Sequence, residues 1–170
     1  MHFRSEGPLK NVGKHDIIIV GEHVGSLESE AYMAGAREHR VIIAGSRDMA
    51  DYEAARKAIS EVFYEIGGGA QVRVVSGHCR GADILGERYA RERGIELAVF
   101  PAEWNRYGRR AGFIRNTQMA EFASEEGNEG ALIAFWDGES RGTKMMIGIA
   151  EKKGLSIHVF DLNGRKRSEQ

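Results

Sequence analysis

Glycine, serine and arginine recur together at three places where an apolar run gives way to an amphipathic stretch. The segments read AGSRD at 44–48, SGHCRGAD at 76–83 and DGESRGT at 137–143. Glycine lets the backbone approach a ligand closely, and a helix N-terminus offers free N–H groups and a partial positive charge. We therefore expect these loops to bind the phosphate of a nucleotide-like ligand. The predicted ligand-binding residues in them are Gly45, Ser46, Arg47, Ser76, Gly77, Arg80, Gly81, Asp83, Ser140, Arg141, Gly142 and Thr143.

A fourth segment, PAEWNRYGRRAGFIRN at 101–116, adds Trp104, Arg115 and Asn116 to the predicted site. On a helix that begins near residue 111, Arg115 shares a face with apolar residues, and a buried arginine is costly unless it is paired. Its partner is either a carboxylate, such as that of Asp83 or Asp137, or a ligand phosphate. Asn116 is suited to a base, a ribose or the neighbouring loop, and Trp104 either stacks on a base or joins the core.

Asp83 and Arg115 are the residues that we consider for catalysis. A carboxylate in the first turn of a helix is favoured by the helix dipole alone, by about 0.3–1 kcal/mol. Asp83 also suits the hydroxyls of a ribose, or a general base. His78 and Cys79 are neighbours whose side chains point apart, and no further ligand cluster accompanies them, so no metal site is predicted.

Five apolar runs alternate with amphipathic stretches from residue 40 onward. The runs mostly lack polar alternation, which is typical of strands buried on both faces, and apolar residues at helical spacing separate them. This rhythm predicts an α/β domain with a doubly wound sheet of five parallel strands in the order 3-2-1-4-5. Ligands bind such sheets at the carboxyl ends of the strands, so the loops converge on a crevice between the first and fourth strands.

The two ends of the chain do not follow this rhythm. Residues 1–39 form an N-terminal extension, in which the apolar run at 16–20 either adds a strand to the sheet or stays outside it. Residues 40–162 form the α/β domain. The charged residues 163–170 are expected to be disordered.

Composition excludes several classes of protein. The chain has 170 residues, 42% of them hydrophobic, and a net charge of −1, so a general electrostatic attraction to nucleic acid or membrane is not expected. No apolar stretch approaches the length of a membrane span. A single cysteine excludes an intrachain disulfide framework and favours a reducing compartment, so we expect a cytoplasmic protein.

The motifs resemble the YspA branch of the SLOG superfamily, which also holds the LOG phosphoribohydrolases and the DNA-processing protein A. The resemblance is carried, in order, by residues 45–47, 76–83, 101–104, 111–116 and 140–143, and it spans about residues 41–160. It implies a Rossmann-like domain of three layers that binds nucleotides or nucleotide-derived molecules and is often encoded in bacterial and phage conflict settings. It brings no agreed ligand and no certain cofactor.

The resemblance weakens one enzymatic interpretation. LOG enzymes hold phosphate and ribose with a Pro-Gly-Gly-x-Gly-Thr-x-x-Glu loop, and its glutamate works with an arginine to cleave the N-glycosidic bond. Here Gly142 and Thr143 match the Gly-Thr element, but Met146 stands where the glutamate would be. A methionine cannot serve as acid or base. Arg115 resembles the arginine of that reaction, and Asp83, Glu103 and Asp137 are the candidates to replace the carboxylate.

Three functions follow as hypotheses. The first is a sensor or carrier of a nucleotide-derived ligand, and the second is a hydrolase of the N-glycosidic bond of a nucleotide. The third, a single-stranded nucleic-acid-binding module that uses Arg106, Arg109 and Arg110, is the weakest because the net charge is close to zero. Since LOG relatives commonly pair through helices beside the pocket, a homodimer is expected.

Overall fold

The strands and helices of the domain alternate along the chain. The computed structural model describes residues 18–20, 37–67 and 71–167. The strands are β1 (Ile18–Val20), β2 (His39–Gly45), β3 (Val72–Ser76), β4 (Glu96–Val99), β5 (Glu129–Phe135) and β6 (Ser156–Phe160). The helices are α1 (Tyr52–Glu65), α2 (Ala82–Arg93), α3 (Trp104–Tyr107), α4 (Ala111–Ala123) and α5 (Arg141–Lys152), with a 3-10 turn at Gly108–Arg110.

The strands form one sheet in the order β1-β4-β3-β2-β5-β6. The five strands β2 to β6 run parallel to one another, and counted along the chain they stand in the order 3-2-1-4-5. The predicted fold class and strand order are confirmed. In this order β2 and β5 are neighbours although two strands separate them in the chain, so the loops that follow them meet at one edge.

The extension adds a strand to this sheet. β1 runs antiparallel to β4, with Ile18 opposite Val99 and Val20 opposite Leu97. Residues 16 and 17 of the apolar run lie outside the described residues, as does the rest of the segment before residue 37. The sheet thus has six strands, five of which belong to the parallel arrangement predicted from the alternating pattern.

Helices cover both faces of the sheet, which gives the domain its three layers. Ile43 belongs to a core cluster with Ile59 of α1 and further residues of α2. Ile42 points to the other face and belongs to a second cluster with Met119 of α4 and Met146 of α5. Both faces of β2 are therefore apolar and buried, which explains why its sequence lacks polar alternation.

The residues after β6 follow a defined path as far as residue 167. The Asp161 carboxylate accepts hydrogen bonds from the N–H groups of Asn163 and Arg165 at 2.8 and 2.9 Å. The backbone of Lys166 forms an isolated antiparallel β-bridge with that of Phe160. Composition alone predicted disorder from residue 163, because it does not reveal this turn. Residues 168–170 lie outside the described residues. Within the described ranges, no helix has the length and apolar character that a membrane span requires.

Candidate functional site

A cavity of about 470 Å³, here called the inner cavity, opens at the carboxyl ends of β2 and β5. Its walls come from the end of β2, the start of α2, and helices α3, α4 and α5. Nine of the predicted site residues line it: Gly45, Arg47, Asp83, Trp104, Arg115, Asn116, Ser140, Gly142 and Thr143. The crevice between the first and fourth parallel strands therefore brings most of the predicted residues together.

The other six predicted residues do not line the inner cavity. They are Ser46, Ser76, Gly77, Arg80, Gly81 and Arg141. Ser46 is buried and its hydroxyl accepts the N–H of Asp48 at 3.2 Å, while exposed Arg80 pairs with Asp48 at 3.5 Å. These contacts hold the loop after β2 and connect it to the loop after β3.

Two glycines allow the loops to approach other backbone segments. A β-carbon at Gly45 would lie 2.8 Å from the backbone nitrogen of Phe135, and a β-carbon at Gly81 would lie 2.7 Å from the Cα of Arg47. Gly81 also has φ +89°, a backbone conformation that favours glycine. The loops after β2 and β3 thus meet backbone to backbone, which leaves no room for side chains between them.

The loop before α5 is shaped by the carboxylate of Asp137. Its Oδ1 accepts the N–H groups of Glu139 and Ser140 at 2.8 and 2.7 Å, and these hydrogen bonds hold the pKa of Asp137 below its usual value. Asp137 is thereby kept ionised near neutral pH, so it does not suit the role of a general acid.

The N-terminus of α5 remains open to an anion. Ser140 is the N-cap, and its hydroxyl accepts the N–H of Thr143 at 3.4 Å and the hydroxyl proton of the same residue at 3.0 Å. Arg141 and Gly142 begin the helix, so their N–H groups have no intrahelical acceptor. These two donors and the dipole of α5 make this end of the cavity suitable for a phosphate.

Arg115 lies on α4 and is only 8% exposed. Its guanidinium donates to the carbonyl oxygen of Gly77, and its Nε donates to the side-chain oxygen of Asn116 at 2.8 Å. The Cys79 sulfur lies 3.5 and 3.6 Å from the two terminal nitrogens, and Asp83 Oδ2 lies 4.0 Å from Nη1. The carboxylate partner considered from the sequence is present, but the ion pair is long, so an anion in the cavity would compete for the guanidinium.

Asp83 is a buried carboxyl in the first turn of α2. Burial raises its pKa from 3.8 to about 6, although Arg115 and the N–H groups of Cys79 and Gly77 oppose the shift. The carboxylate of Glu87 adds to the increase. A carboxyl group with such a pKa exchanges protons near neutral pH, which is the property that a general acid or base needs.

Glu87, in the second turn of α2, was not predicted and is fully buried. Its Oε1 accepts the Ser76 hydroxyl proton and is hydrogen-bonded to His78 Nδ1, both at 2.8 Å, and its Oε2 accepts Arg91 at 2.7 Å. His78 has φ +57°, which is uncommon for a residue with a β-carbon. Glu87 lies four residues after Asp83 on the same face of the helix, and that spacing was the available signal.

Positive charge predominates around the inner cavity. Three arginines line it, Arg47, Arg109 and Arg115, whereas Asp83 is the sole carboxylate among its described lining residues. In the part of the chain that the structure describes, neither Arg47 nor Arg109 forms an ion pair. From the sequence, Arg109 entered only the weakest of the three hypotheses, nucleic-acid binding, whereas here it lines the inner cavity. The geometry therefore favours an anionic small molecule.

Met146 and Cys79 also line the cavity. Met146 is 1% exposed and packs in the second core cluster, so the position of the LOG glutamate carries no titratable group. Within the described residues, no group of three or more histidine, cysteine, aspartate or glutamate side chains is arranged to hold a metal ion.

Comparisons with known proteins agree with these motifs. The family model described as YspA, cpYpsA-related SLOG family matches residues 39–107. The Gene 61 protein of Mycobacterium phage D29 is 30% identical over 126 residues, which cover 71% of this chain and 95% of that protein. No solved structure gives a significant match.

Proposed function

The chain belongs to the YspA, cpYpsA-related SLOG family, and on this basis we propose that its inner cavity binds a nucleotide or a nucleotide-derived ligand. Membership of this family favours a role in binding or processing nucleotide-related ligands. In this proposal the phosphate lies at the N-terminus of α5, and the ribose and base extend towards Asp83, Asn116 and Trp104. The protein then acts as a sensor or carrier of the ligand.

One observation carries the proposal: a helix N-terminus and three arginines share one cavity with a single carboxylate. Arg115 is buried and already oriented by Gly77 and Asn116, so little side-chain freedom is lost when it binds an anion. Exposed Arg47 and Arg109 are free to contact phosphate oxygens. A cavity of about 470 Å³ is within the range of small-molecule sites.

Thermal unfolding with a ligand panel tests this function. The panel contains nucleoside monophosphates, cyclic nucleotides, ADP-ribose and NAD. A ligand present at about 100 times its Kd should stabilise the folded protein by about 2.7 kcal/mol, which raises Tm measurably. If no member of the panel raises Tm, the proposal is wrong.

Two glycines of α5 provide a matched pair of variants for this test. A β-carbon at Gly142 or at Gly148 meets no atom within 4 Å, so the helix tolerates a side chain at both positions. Only Gly142 lines the inner cavity. Gly142→Val should therefore abolish the ligand-induced increase in Tm, whereas Gly148→Val should retain it.

A second function, hydrolysis of an N-glycosidic bond, is favoured by the raised pKa of Asp83. A carboxyl with a pKa of about 6 holds a proton at mildly acidic pH and can donate it to a departing base. Arg115, 4.0 Å away, would stabilise the carboxylate that remains. Water would then add to the anomeric carbon in place of the base and give a proton to the Asp83 carboxylate, which restores the acid.

Product analysis distinguishes hydrolysis from binding alone. Release of free base from a nucleotide, at a rate that Asp83→Asn reduces by about 10²-fold or more, would establish the enzymatic role. Ligand binding without base release from any nucleotide of the panel would exclude it and leave the sensor or carrier role.

A further inference from the structure

A second cavity, here called the outer cavity, lies beside the inner one on the other side of α4. Its volume is about 460 Å³, close to that of the inner cavity. Its walls come from the end of β4, from α3, and from one face of α4 that includes Thr117 and Gln118. None of the predicted phosphate-binding loops reaches it, so a role in holding phosphate does not explain it.

Two residues of α4 line both cavities. Phe113 is half-exposed at their boundary, and the buried guanidinium of Arg115 borders each of them. The two cavities therefore lie on different faces of α4 and adjoin at these two side chains. A ligand long enough to occupy both cavities would contact Arg115 and Phe113.

The exposed aromatic rings indicate what the cavities bind. Trp104 is 52% exposed and lines the inner cavity, and Phe113 is 50% exposed. Within the described residues, neither ring is stacked on another aromatic ring or on a cation, whereas Tyr107 of the outer cavity is covered by Arg106. Free aromatic faces beside a cavity are suited to stacking on the planar rings of a ligand.

The outer cavity also contains groups that suit the edge of a heteroaromatic ring. Two carboxylates, Glu103 and Glu121, line it together with Arg106 and Arg115. Glu103 pairs with Arg106 at 3.6 Å and Glu121 with Lys153 at 3.2 Å, each through one oxygen, so the other oxygen of each carboxylate is suited to the ring and exocyclic N–H groups of a nucleobase. Two aromatic platforms and two adjoining cavities of nearly equal size, the inner one predominantly cationic, fit a molecule with two rings and an anionic centre.

We propose that the ligand is of the dinucleotide class, with one nucleoside and the phosphates in the inner cavity and a second aromatic ring against Phe113 in the outer cavity. This inference rests on the proposed function, since it takes the phosphate site of the inner cavity as given. It narrows the ligand from any nucleotide to one whose diphosphate bridges two ring systems.

Calorimetric titration of the full chain tests the inference. The probes are the four ribonucleoside 5′-monophosphates and the corresponding dinucleoside 5′,5′-diphosphates. For at least one base the dinucleotide should bind about tenfold or more tightly than the monophosphate, because it adds a buried stacked ring. Equal affinities within every pair would overturn the inference.

A variant that fills only the outer cavity locates the second ring. Thr117 lines the outer cavity and not the inner one. Thr117→Trp should weaken dinucleotide binding to the level of the monophosphate and leave monophosphate binding unchanged, and Thr117→Val serves as the control that leaves the cavity open. If Thr117→Trp does not fold, Gln118→Trp, at another position that lines the outer cavity and not the inner one, should have the same selective effect. Unchanged dinucleotide binding in these variants would overturn the inference.

Two further outcomes separate the dinucleotide class from a simpler ligand and from a contact between copies of the chain. If monophosphates bind and Gly142→Val abolishes their binding, but dinucleotides gain nothing, the proposed function stands and the dinucleotide class is wrong. If Phe113→Leu changes the oligomeric state in sedimentation but leaves the difference in affinity between dinucleotides and monophosphates unchanged, Phe113 belongs to a contact between copies of the chain. That result would also overturn the inference. Failure of every probe to bind would contradict the proposed function as well.

Discussion

Asp83 of α2 and Arg115 of α4 form an ion pair, 4.0 Å from Oδ2 to Nη1. Both side chains also bind the loop that follows β3. Arg115 donates to the carbonyl of Gly77, and Asp83 accepts the N–H of Cys79 at 3.4 Å. The loop after β3 is thus fixed by one charge of each sign. An anionic ligand that binds Arg115 in place of Asp83 would alter the contacts that fix this loop.

Asp83 should make the stability of the protein depend on pH. Its pKa rises from 3.8 to about 6 on folding, so the folded chain binds the proton more tightly than the unfolded chain. Its contribution is complete below about pH 4 and is lost as the pH rises through about 6. Between pH 4 and pH 7 the free energy of unfolding of the wild type should fall by about 2 kcal/mol relative to Asp83→Asn. Urea unfolding at several pH values measures this difference, and parallel curves would contradict it.

Ligand binding should depend on the same proton. An anion beside Arg115 lies close to Asp83, so the protonated carboxyl favours binding and affinity should fall as the pH rises through about 6. A dinucleoside diphosphate is the suitable probe because its own charge is constant from about pH 5 to 8, whereas a phosphate monoester titrates near pH 6. Asp83→Asn should remove the dependence. Affinity that instead rises with pH would show that Asp83 accepts hydrogen bonds from the ligand.

A methyl group at Gly77 should displace Arg115. A β-carbon there would lie 2.5 Å from the Cζ of the buried guanidinium. Gly77→Ala should reduce stability by about 1–3 kcal/mol through overpacking, and ligand affinity by about tenfold through loss of the oriented arginine. Gly148→Ala is the control, since its β-carbon would meet no atom within 4 Å and Gly148 does not line the inner cavity. Equal affinities of the two variants would show that the position of Arg115 does not govern binding.

Gly81 is constrained both by its positive φ and by close backbone contacts, and comparison with Gly94 separates the two effects. Gly81 and Gly94 both have positive φ, +89° and +63°, but only Gly81 faces backbone atoms of Ser46 and Arg47. Gly94→Ala should cost about 1–2 kcal/mol from backbone strain alone, and Gly81→Ala should cost roughly twice as much because the loops must separate. Chemical denaturation measures both. A similar cost for the two variants would mean that the loop contact contributes little.

Glu87 should contribute to stability although it does not line the cavity. Its truncation leaves the hydroxyl of Ser76 and the ring of His78 without their acceptor. Glu87→Ala should therefore cost about 2–3 kcal/mol, whereas Glu92→Ala, on the exposed side of the same helix, should cost about 1 kcal/mol or less. Equal costs would indicate that the buried hydrogen bonds are not net stabilising.

The fold and the position of the site could be predicted because they follow from local patterns. Apolar runs without alternation indicated buried parallel strands, and the order 3-2-1-4-5 then placed the loops after β2 and β5 side by side. The spacing of Arg115 on α4 also indicated its burial. Each of these inferences depends only on the spacing of apolar residues within one helix or strand, or on which edge of the sheet a loop lies at.

The rest depends on contacts between segments that are distant in the chain. Ser46 and Ser76 have residue types that suit a phosphate site, but the Ser46 hydroxyl accepts the N–H of Asp48 and the Ser76 hydroxyl donates to Glu87 of α2. Glu87 belongs to the buried network, and its spacing from Asp83 did not reveal its hydrogen-bond partners. Phe113 lines both cavities, and no local pattern distinguished it. Which polar side chain faces a ligand depends on how the loops pack against one another. A single sequence does not give the distances between loops that are far apart in the chain.

Isothermal titration calorimetry of the full chain and of Gly142→Val tests the central claim most directly. We expect one saturable site per chain for at least one nucleotide or dinucleotide. This binding should be lost in Gly142→Val and retained in Gly148→Val, because of these two glycines only Gly142 lines the inner cavity. The absence of binding heat for the whole panel, or binding that persists unchanged in Gly142→Val, would contradict it.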